Sequence, residues 1–297
     1  MVRAGGSFMA GKIRYFPERN AALPRTLTGL SPLSDSPVTA GCGYILAMRP
    51  LFISRRGFVR GSLAGAAAAV LGRGAAAADG PVVVELFTSQ GCSSCLPADA
   101  FLGELSQRPD VIALSLHVDY WDYLGWRDTL GSPDCAQRQR EYARRRGDRQ
   151  VYTPQAVING QAEVIGSDRQ GVLEAIAGQA REQSFIPVAI TGGKRELVIE
   201  VAAAPGARLP HEATVWVISV VPEVVIDIRR GENAGRTVAY SNVVRKIMPV
   251  GMWHGQALSL MLPKAAILGN GTVCAALLQL DGTGPIIGAA WMPAAGA

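Results

Sequence analysis

The stretch from Pro81 to Val118 constrains this chain most. "PVVVELF" is a short apolar run behind Gly80-Pro81 and reads as a buried strand. "TSQGCSSC" follows, with Cys92 and Cys95 separated by two residues. In "LPADAFLGELSQR" the residues Leu96, Phe101, Leu102 and Leu105 fall near helical spacing, and Arg108-Pro109-Asp110 ends the run. "VIALSLHV", Val111 to Val118, is a second apolar strand. Strand, loop, helix, strand is a βαβ unit. It puts the cysteine pair at the carboxyl end of its first strand, the edge where α/β sheets place ligand sites.

Three uses of such a pair must be weighed. A redox dithiol needs one thiolate that is stable near neutral pH, and the free N–H groups and dipole of a helix N-terminus supply that stabilisation. Cys92 stands where that field is strongest, and Cys95, one turn on, can close a disulfide and resolve a mixed one. Structural zinc takes four ligands, usually as two such pairs. No second pair exists; Cys135, Cys274, His117, His211 and His254 are scattered. In the third use the cysteines are ordinary structural residues. Spacing and context favour the dithiol.

The charge distribution marks the front of the chain as different. The 297 residues carry a net charge of +5. Residues 1–78 hold ten Lys/Arg and two Asp/Glu, net +8, whereas 79–297 hold nineteen and twenty-two, net −3. The basic excess therefore belongs to the front and gives no reason to expect nucleic acid as a partner. "SRRGFVR" places Arg55 and Arg56 before the weakly apolar "GSLAGAAAAVLG", and the small residues Ala75 to Ala78 follow. This resembles a twin-arginine export signal, with Phe58 two residues after the arginine pair. The expected division is an upstream or disordered extension over 1–47, a signal over 48–78, and a mature chain from 79. The apolar run is shorter than the roughly 20 residues a membrane span needs, so no membrane insertion is expected after signal removal. Export implies the periplasm or beyond, where disulfides persist. Cys92, Cys95, Cys135 and Cys274 remain in the mature chain.

Further along, "DYWDYLGWRDTLGSPDC" is aromatic and turn-rich and reads as a loop. "PDCAQRQREYARRRGD" reads as a helix whose arginines make a solvated basic face. "VYTPQAVINGQAEVIG" reads as two short strands about Asn159-Gly160. A helix follows from Ser167 or Asp168. After a soft boundary at 184–187 the texture becomes short apolar strands separated by Gly, Pro and Asn, which suggests a β-rich, sandwich-like domain over 185–297.

The order strand, Cys-x-x-Cys, helix, strand, insertion, Thr-Pro, hairpin, helix resembles the thioredoxin fold. The expected architecture is an α/β thioredoxin-like domain over 79–184 followed by the β-rich domain. "ELFTSQGCSSCLPAD", "HVDYWDYLGWRD", "RQREY", "VYTPQAVINGQ" and "RGENAGRTVAYSNVVR" together look like the exported domain-of-unknown-function 1223 family. Leu96 stands where that pattern usually has Pro, and Cys135 looks extra.

The family resemblance implies the fold and the export; with the Cys-x-x-Cys it leads to the expectation of an exported thiol–disulfide oxidoreductase without a cofactor, acting on protein thiols or disulfides or with a periplasmic redox partner. Cys92 would attack, Cys95 would resolve, and Thr153-Pro154 would be the cis-proline that faces the dithiol and holds the substrate backbone. Glu85 would accept the proton of Cys95, or else be a strand-end carboxylate facing solvent. Tyr120 and Trp121 could shape a substrate groove or simply cover the core. The alternatives are a copper- or zinc-binding module that adds His117 to the same cysteines, and a redox-inert interaction protein. "RRGENAGR" reads as a charged turn or as a loop binding the first domain. Cys135 and Cys274 could bridge the domains or stay free.

Overall fold

Alternating and continuous apolar runs build one large sheet. The computed structural model describes residues 13–14, 80–182, 185–204 and 212–292, all of which belong to one compact unit. The segment 48–78, where the export signal is expected, and Cys42 lie outside the described residues.

The elements in chain order are β1 (Ile13–Arg14), β2 (Val82–Thr88), α1 (Leu96–Leu105), β3 (Val111–His117), α2 (Pro133–Arg146), β4 (Gln150–Val151), β5 (Gln155–Ile158), β6 (Ala162–Ile165) and α3 (Arg169–Glu182). Then come β7 (Val188–Gly192), β8 (Glu196–Val201), β9 (Ala213–Ile228), β10 (Arg236–Trp253), β11 (Leu258–Pro263), α4 (Lys264–Ile267), β12 (Val273–Leu280) and β13 (Ile286–Trp291). Among the described residues β1 pairs only with β4.

The main sheet has eight strands in the order β13-β12-β9-β10-β3-β2-β5-β6. β2 and β3 are parallel from Val82↔Val111 to Thr88↔His117, as the βαβ reading requires. β5 is antiparallel to β2, and β5–β6 is the hairpin anticipated at Asn159-Gly160, whose two residues take φ of 48° and 68°. The period of two then sorts the side chains of β2. Val83 and Phe87 pack on the α2 side with Leu114, Leu116 and Tyr142. Val82, Val84 and Leu86 pack on the α1 and α3 side with Phe101, Leu102 and Ile176.

The second half corrects the expectation of a separate sandwich. The runs read as three strands in 213–253 are two long ones, β9 and β10, paired antiparallel over nearly their whole length. β10 joins β3 in parallel at Val243↔Ser115, so one sheet crosses the boundary expected at 184–187. What is sandwich-like is smaller. The three-stranded sheet β11-β8-β7 packs Leu197, Ile199 and Val201 on Val215, Val217, Ala276 and Leu278 of the main sheet. The fold is thus a mixed α/β unit with a large mixed sheet and a second, small one.

Between Ser241↔Glu223 and Val243↔Val221, Asn242 and Pro222 face each other without bridging. Proline has no N–H to donate, and Asn242 adopts φ 49° with its amide donating to the Ala113 carbonyl at 3.0 Å. Beyond this point the outer hairpin, with its turn at 229–235, leaves the main sheet. Ser241 lies against Gly103 of α1, and Tyr240 packs on His117.

Candidate functional site

β2 ends at Thr88, and the chain turns through Ser89–Gly91 into a 3-10 turn, Ser93–Cys95, that runs on into α1. Pro97 fits at the start of this helix because its missing N–H would have no partner there. Cys92 and Cys95 form a disulfide with their Cα atoms 5.4 Å apart. Cys92 is the N-cap of the 3-10 turn and Cys95 the N-cap of α1. Both sulfur-bearing residues are fully buried, although Ser93 and Ser94 between them are exposed.

Two segments wall the dithiol loop. The first is the aromatic loop after β3, with its 3-10 turn Asp122–Leu124. Trp121 lies so close to Gly91 that a Cβ there would come within 3.2 Å of the Trp121 Cβ, so glycine is what permits this approach. The Trp121 indole N–H donates to Thr153 Oγ1 at 2.9 Å, and that of Trp126 to Gln90 Oε1 at 2.8 Å. The second is the turn of the outer hairpin. Buried Asn233 donates its amide to the Gln90 carbonyl at 2.9 Å and the Cys92 carbonyl at 3.1 Å, while Ser93 Oγ donates to Glu232 Oε2 at 2.7 Å. "RGENAGR" is therefore a loop held against the dithiol.

Thr153-Pro154 is a cis peptide. Because β5 runs antiparallel to β2 with Phe87↔Gln155, the chain just before Gln155 lies beside the exit of β2 into the dithiol loop. Trp121 connects Thr153 to Gly91. Tyr120 is turned elsewhere: its hydroxyl donates to Gln139 Oε1 on α2 at 3.0 Å.

Glu85 is neither a solvent-facing carboxylate nor a partner for Cys95. It shares the α2 face of β2 with Val83 and Phe87, whereas α1 lies on the other face. Its two oxygens accept from Arg138 Nε at 2.6 Å and Nη2 at 3.1 Å, and the Tyr142 hydroxyl donates to it as well. Arg138 also reaches Tyr142 and Gln279. Burial opposes the charge on Arg138, yet Glu85 and Tyr142 hold the guanidinium above its ordinary range. One arginine of the expected solvated face thus sits in the core, because Arg138 lies on the same stripe of α2 as Cys135 and Tyr142.

The opposite face carries a second set of buried polar groups, His117 and Asp128. The carboxylate of Asp128 accepts from the backbone N–H groups of Gln90 and Leu130, both at 2.8 Å, and pairs with His117 Nδ1 at 2.9 Å. Burial pushes the Asp128 carboxyl up, but His117 and the two N–H groups outweigh it, and the group stays below its ordinary range. An ionised Asp128 can only accept, so the proton of the pair sits on Nδ1. His117 is fully buried, and among the described residues no group of three or more His, Cys, Asp or Glu could hold a metal.

Asp99, in the first turn of α1, is buried. Burial pushes its pKa up to about 7, against smaller lowering effects of His117 and Thr88. Its position four residues after Cys95 and three before Leu102 is the signal that it faces inward. Cys135 and Cys274 are free and lie in different cores, one under α2 and the other under the small sheet.

Fold and site together define a mixed α/β protein with a buried dithiol at a strand–helix joint. The chain belongs to the DUF1223 family, described as "Protein of unknown function (DUF1223)", whose model matches residues 83–279. It is similar to the crystal structure of protein AGR_C_4864 from Agrobacterium tumefaciens, with 38% identity and a TM-score of 0.63 over 71% of this chain and 92% of that one. None of the curated proteins matches.

Proposed function

We propose that this protein is an exported thiol–disulfide oxidoreductase of the thioredoxin type. The observation that carries the reading is the Cys92–Cys95 disulfide at the N-terminus of α1. Reduced Cys92 would face the unpaired N–H groups of the helix start, which favour a thiolate. The strand order β3-β2-β5-β6, with α1 and α3 on one face and α2 on the other, supports the thioredoxin likeness. So does the cis Thr153-Pro154 peptide at the entry to β5. Arg55-Arg56 and the Ala-rich run behind them support export, which gives protein thiols and disulfides, or a periplasmic redox partner, as the reactants.

In the exchange, the Cys92 thiolate attacks a partner disulfide and Cys95 then displaces the partner from Cys92. The reverse sequence reduces the protein's own disulfide. Because both cysteines are buried under Asn233 and Trp121, a partner reaches Cys92 after the hairpin turn has moved. Catalysed reduction of insulin by the full chain, with dithiothreitol as electron source, tests the activity. The expected result is turnover lost in both Cys92→Ser and Cys95→Ser. Turnover that persists in Cys92→Ser refutes the reading. The export half is tested separately: lysine in place of Arg55 and Arg56 should keep the protein in the cytoplasm.

A further inference from the structure

Six side-chain polar atoms are buried at one place behind the dithiol with no partner at full hydrogen-bonding geometry, Thr88 and Asp99 lying within reach of each other: Thr88 Oγ1, both carboxyl oxygens of Asp99, Ser115 Oγ, His117 Nε2 and the Tyr240 hydroxyl. Thr88 and His117 are cross-strand neighbours, and Ser115 lies two residues earlier on the same face. Tyr240 meets the His117 ring edge-on, with centroids 4.7 Å apart. Asp99 approaches from α1 and interacts with Thr88, His117, Asp128 and Tyr240. Buried polar groups are almost always partnered, so five residues converging in this way mark a polar site suited to ordered water.

Helical register brings this site to the cysteines. Cys95 already has helical backbone, with φ −79° and ψ −29°, and Asp99 follows four residues later. Residues so spaced share a face with their Cβ atoms about 5–6 Å apart. Glu85, the other buried carboxyl near β2, is on the far face and fully occupied by Arg138 and Tyr142.

We propose that Asp99 takes the proton from Cys95 as Cys95 displaces a partner from Cys92, directly or through water held among Thr88, Ser115, His117 and Tyr240. The inference rests on the dithiol exchange proposed above. In the step, the Cys95 thiol gives its proton to the Asp99 carboxylate, and its sulfur attacks Cys92 Sγ. The bond between Cys92 and the partner sulfur breaks, and the intramolecular disulfide forms. The partner leaves as a thiolate, reduced by two electrons, and takes its proton from solvent. The groups facing Asp99 are Thr88 from β2, His117 from β3, Asp128 from the following loop and Tyr240 from β10, with Cys95 on its own helix. Burial, offset only in part by His117 and Thr88, leaves Asp99 with a pKa of about 7, able both to accept and to release a proton at neutral pH.

The test uses the full chain carrying Cys42→Ser, reduced and mixed with dithiobis(nitrobenzoate). Attack by Cys92 releases the first nitrothiolate and resolution by Cys95 the second. Cys135 and Cys274 stay silent, because burial pushes their thiols up to about 12 and about 11. Asp99→Asn should slow the second phase at least about tenfold at pH 7 and leave the first within about threefold. The wild-type second phase should fall with an inflection near pH 7 as Asp99 becomes protonated, and the variant should lack it. An unchanged second phase in Asp99→Asn overturns the proposal. If that variant does not fold, a wild-type profile without the inflection overturns it just as well. Failure of the dithiol reading looks different: the wild type then releases no first equivalent from Cys92.

Discussion

Removing the Asn233 side chain should uncover the disulfide. Asn233 is 1% exposed, and its amide makes two hydrogen bonds to backbone carbonyls of the dithiol loop, at 2.9 and 3.1 Å. A buried hydrogen bond of this kind contributes about 0.5–1.5 kcal/mol net. Asn233→Ala therefore destabilises the closed turn by about 1–3 kcal/mol. At about 1.4 kcal/mol per factor of ten, the open population rises roughly 5- to 150-fold. If the turn opens and closes faster than the chemistry, the rate of reduction follows that population. The assay is the second-order rate of reduction of the oxidised protein by a water-soluble phosphine, measured in the absence of denaturant and in low urea. A rate that rises in the variant and depends weakly on urea reports local opening of the turn. Glu232→Ala, which breaks only the exposed bond to Ser93, should accelerate reduction a few-fold at most. A folded Asn233→Ala protein reduced within twofold of the wild-type rate would refute the reasoning, since access would then not run through this turn.

Three further outcomes follow from the buried charges and thiols. Asp99 holds its proton up to about pH 7 when folded, against 3.8 for an unperturbed carboxyl, so folding binds a proton between these values and stability falls as pH rises through them. The penalty is on the order of 4 kcal/mol by pH 8; in urea melts, Asp99→Asn should gain on the wild type steadily from pH 4 to pH 8, and a constant difference would contradict it. Breaking the buried Glu85–Arg138 pair with Arg138→Met should cost about 3–5 kcal/mol in denaturant unfolding, because Glu85 is left buried and unpaired. In oxidised protein carrying Cys42→Ser, thiol titration should find none in the native state and two in denaturant; none in denaturant would mean that Cys135 and Cys274 are bridged.

The parts of the fold that were legible are those in which local pattern and tertiary position agree. The apolar runs at 82–88 and 111–117 are strands because they are buried on both faces, and Asn159-Gly160 marks its hairpin by the left-handed backbone it accepts. The long strand β9 divides into two apolar runs in the sequence because Pro222 punctuates it like a turn. "PIIGAAW" was not read as a strand, since Gly288 weakens the pattern; there Ile186 and Val188 crowd the backbone, and a Cβ would meet the Val188 side chain at 2.9 Å. The cysteine pair was legible at the site, but its surroundings were not. Gln90, Asp128 and Asn233 act through contacts 38 to 143 residues apart in sequence. Arg138 resembled its solvated neighbours in everything except its place on the apolar stripe.

The hairpin that covers the dithiol and the acid behind it meet at one carboxylate, and this makes their pH responses separable. Asp128 accepts the Gln90 N–H on one side and pairs with His117 on the other, while the Gln90 carbonyl takes the amide of Asn233. Because the Asp128 carboxyl is held below its ordinary range, its contribution to stability is complete above the unfolded pKa near 4 and is lost only as pH falls through the lower folded value. The Asp128 carboxylate, which holds the Gln90 N–H beside the turn, therefore does not titrate between pH 5 and 8. Asp99 does, within the same cluster, because burial rather than a partner sets its pKa. Phosphine reduction of the oxidised protein, once corrected for the titration of the phosphine itself, should be flat across that range, while resolution by Cys95 falls below pH 7. Two profiles that bend together would mean that the turn and the acid are one device rather than two.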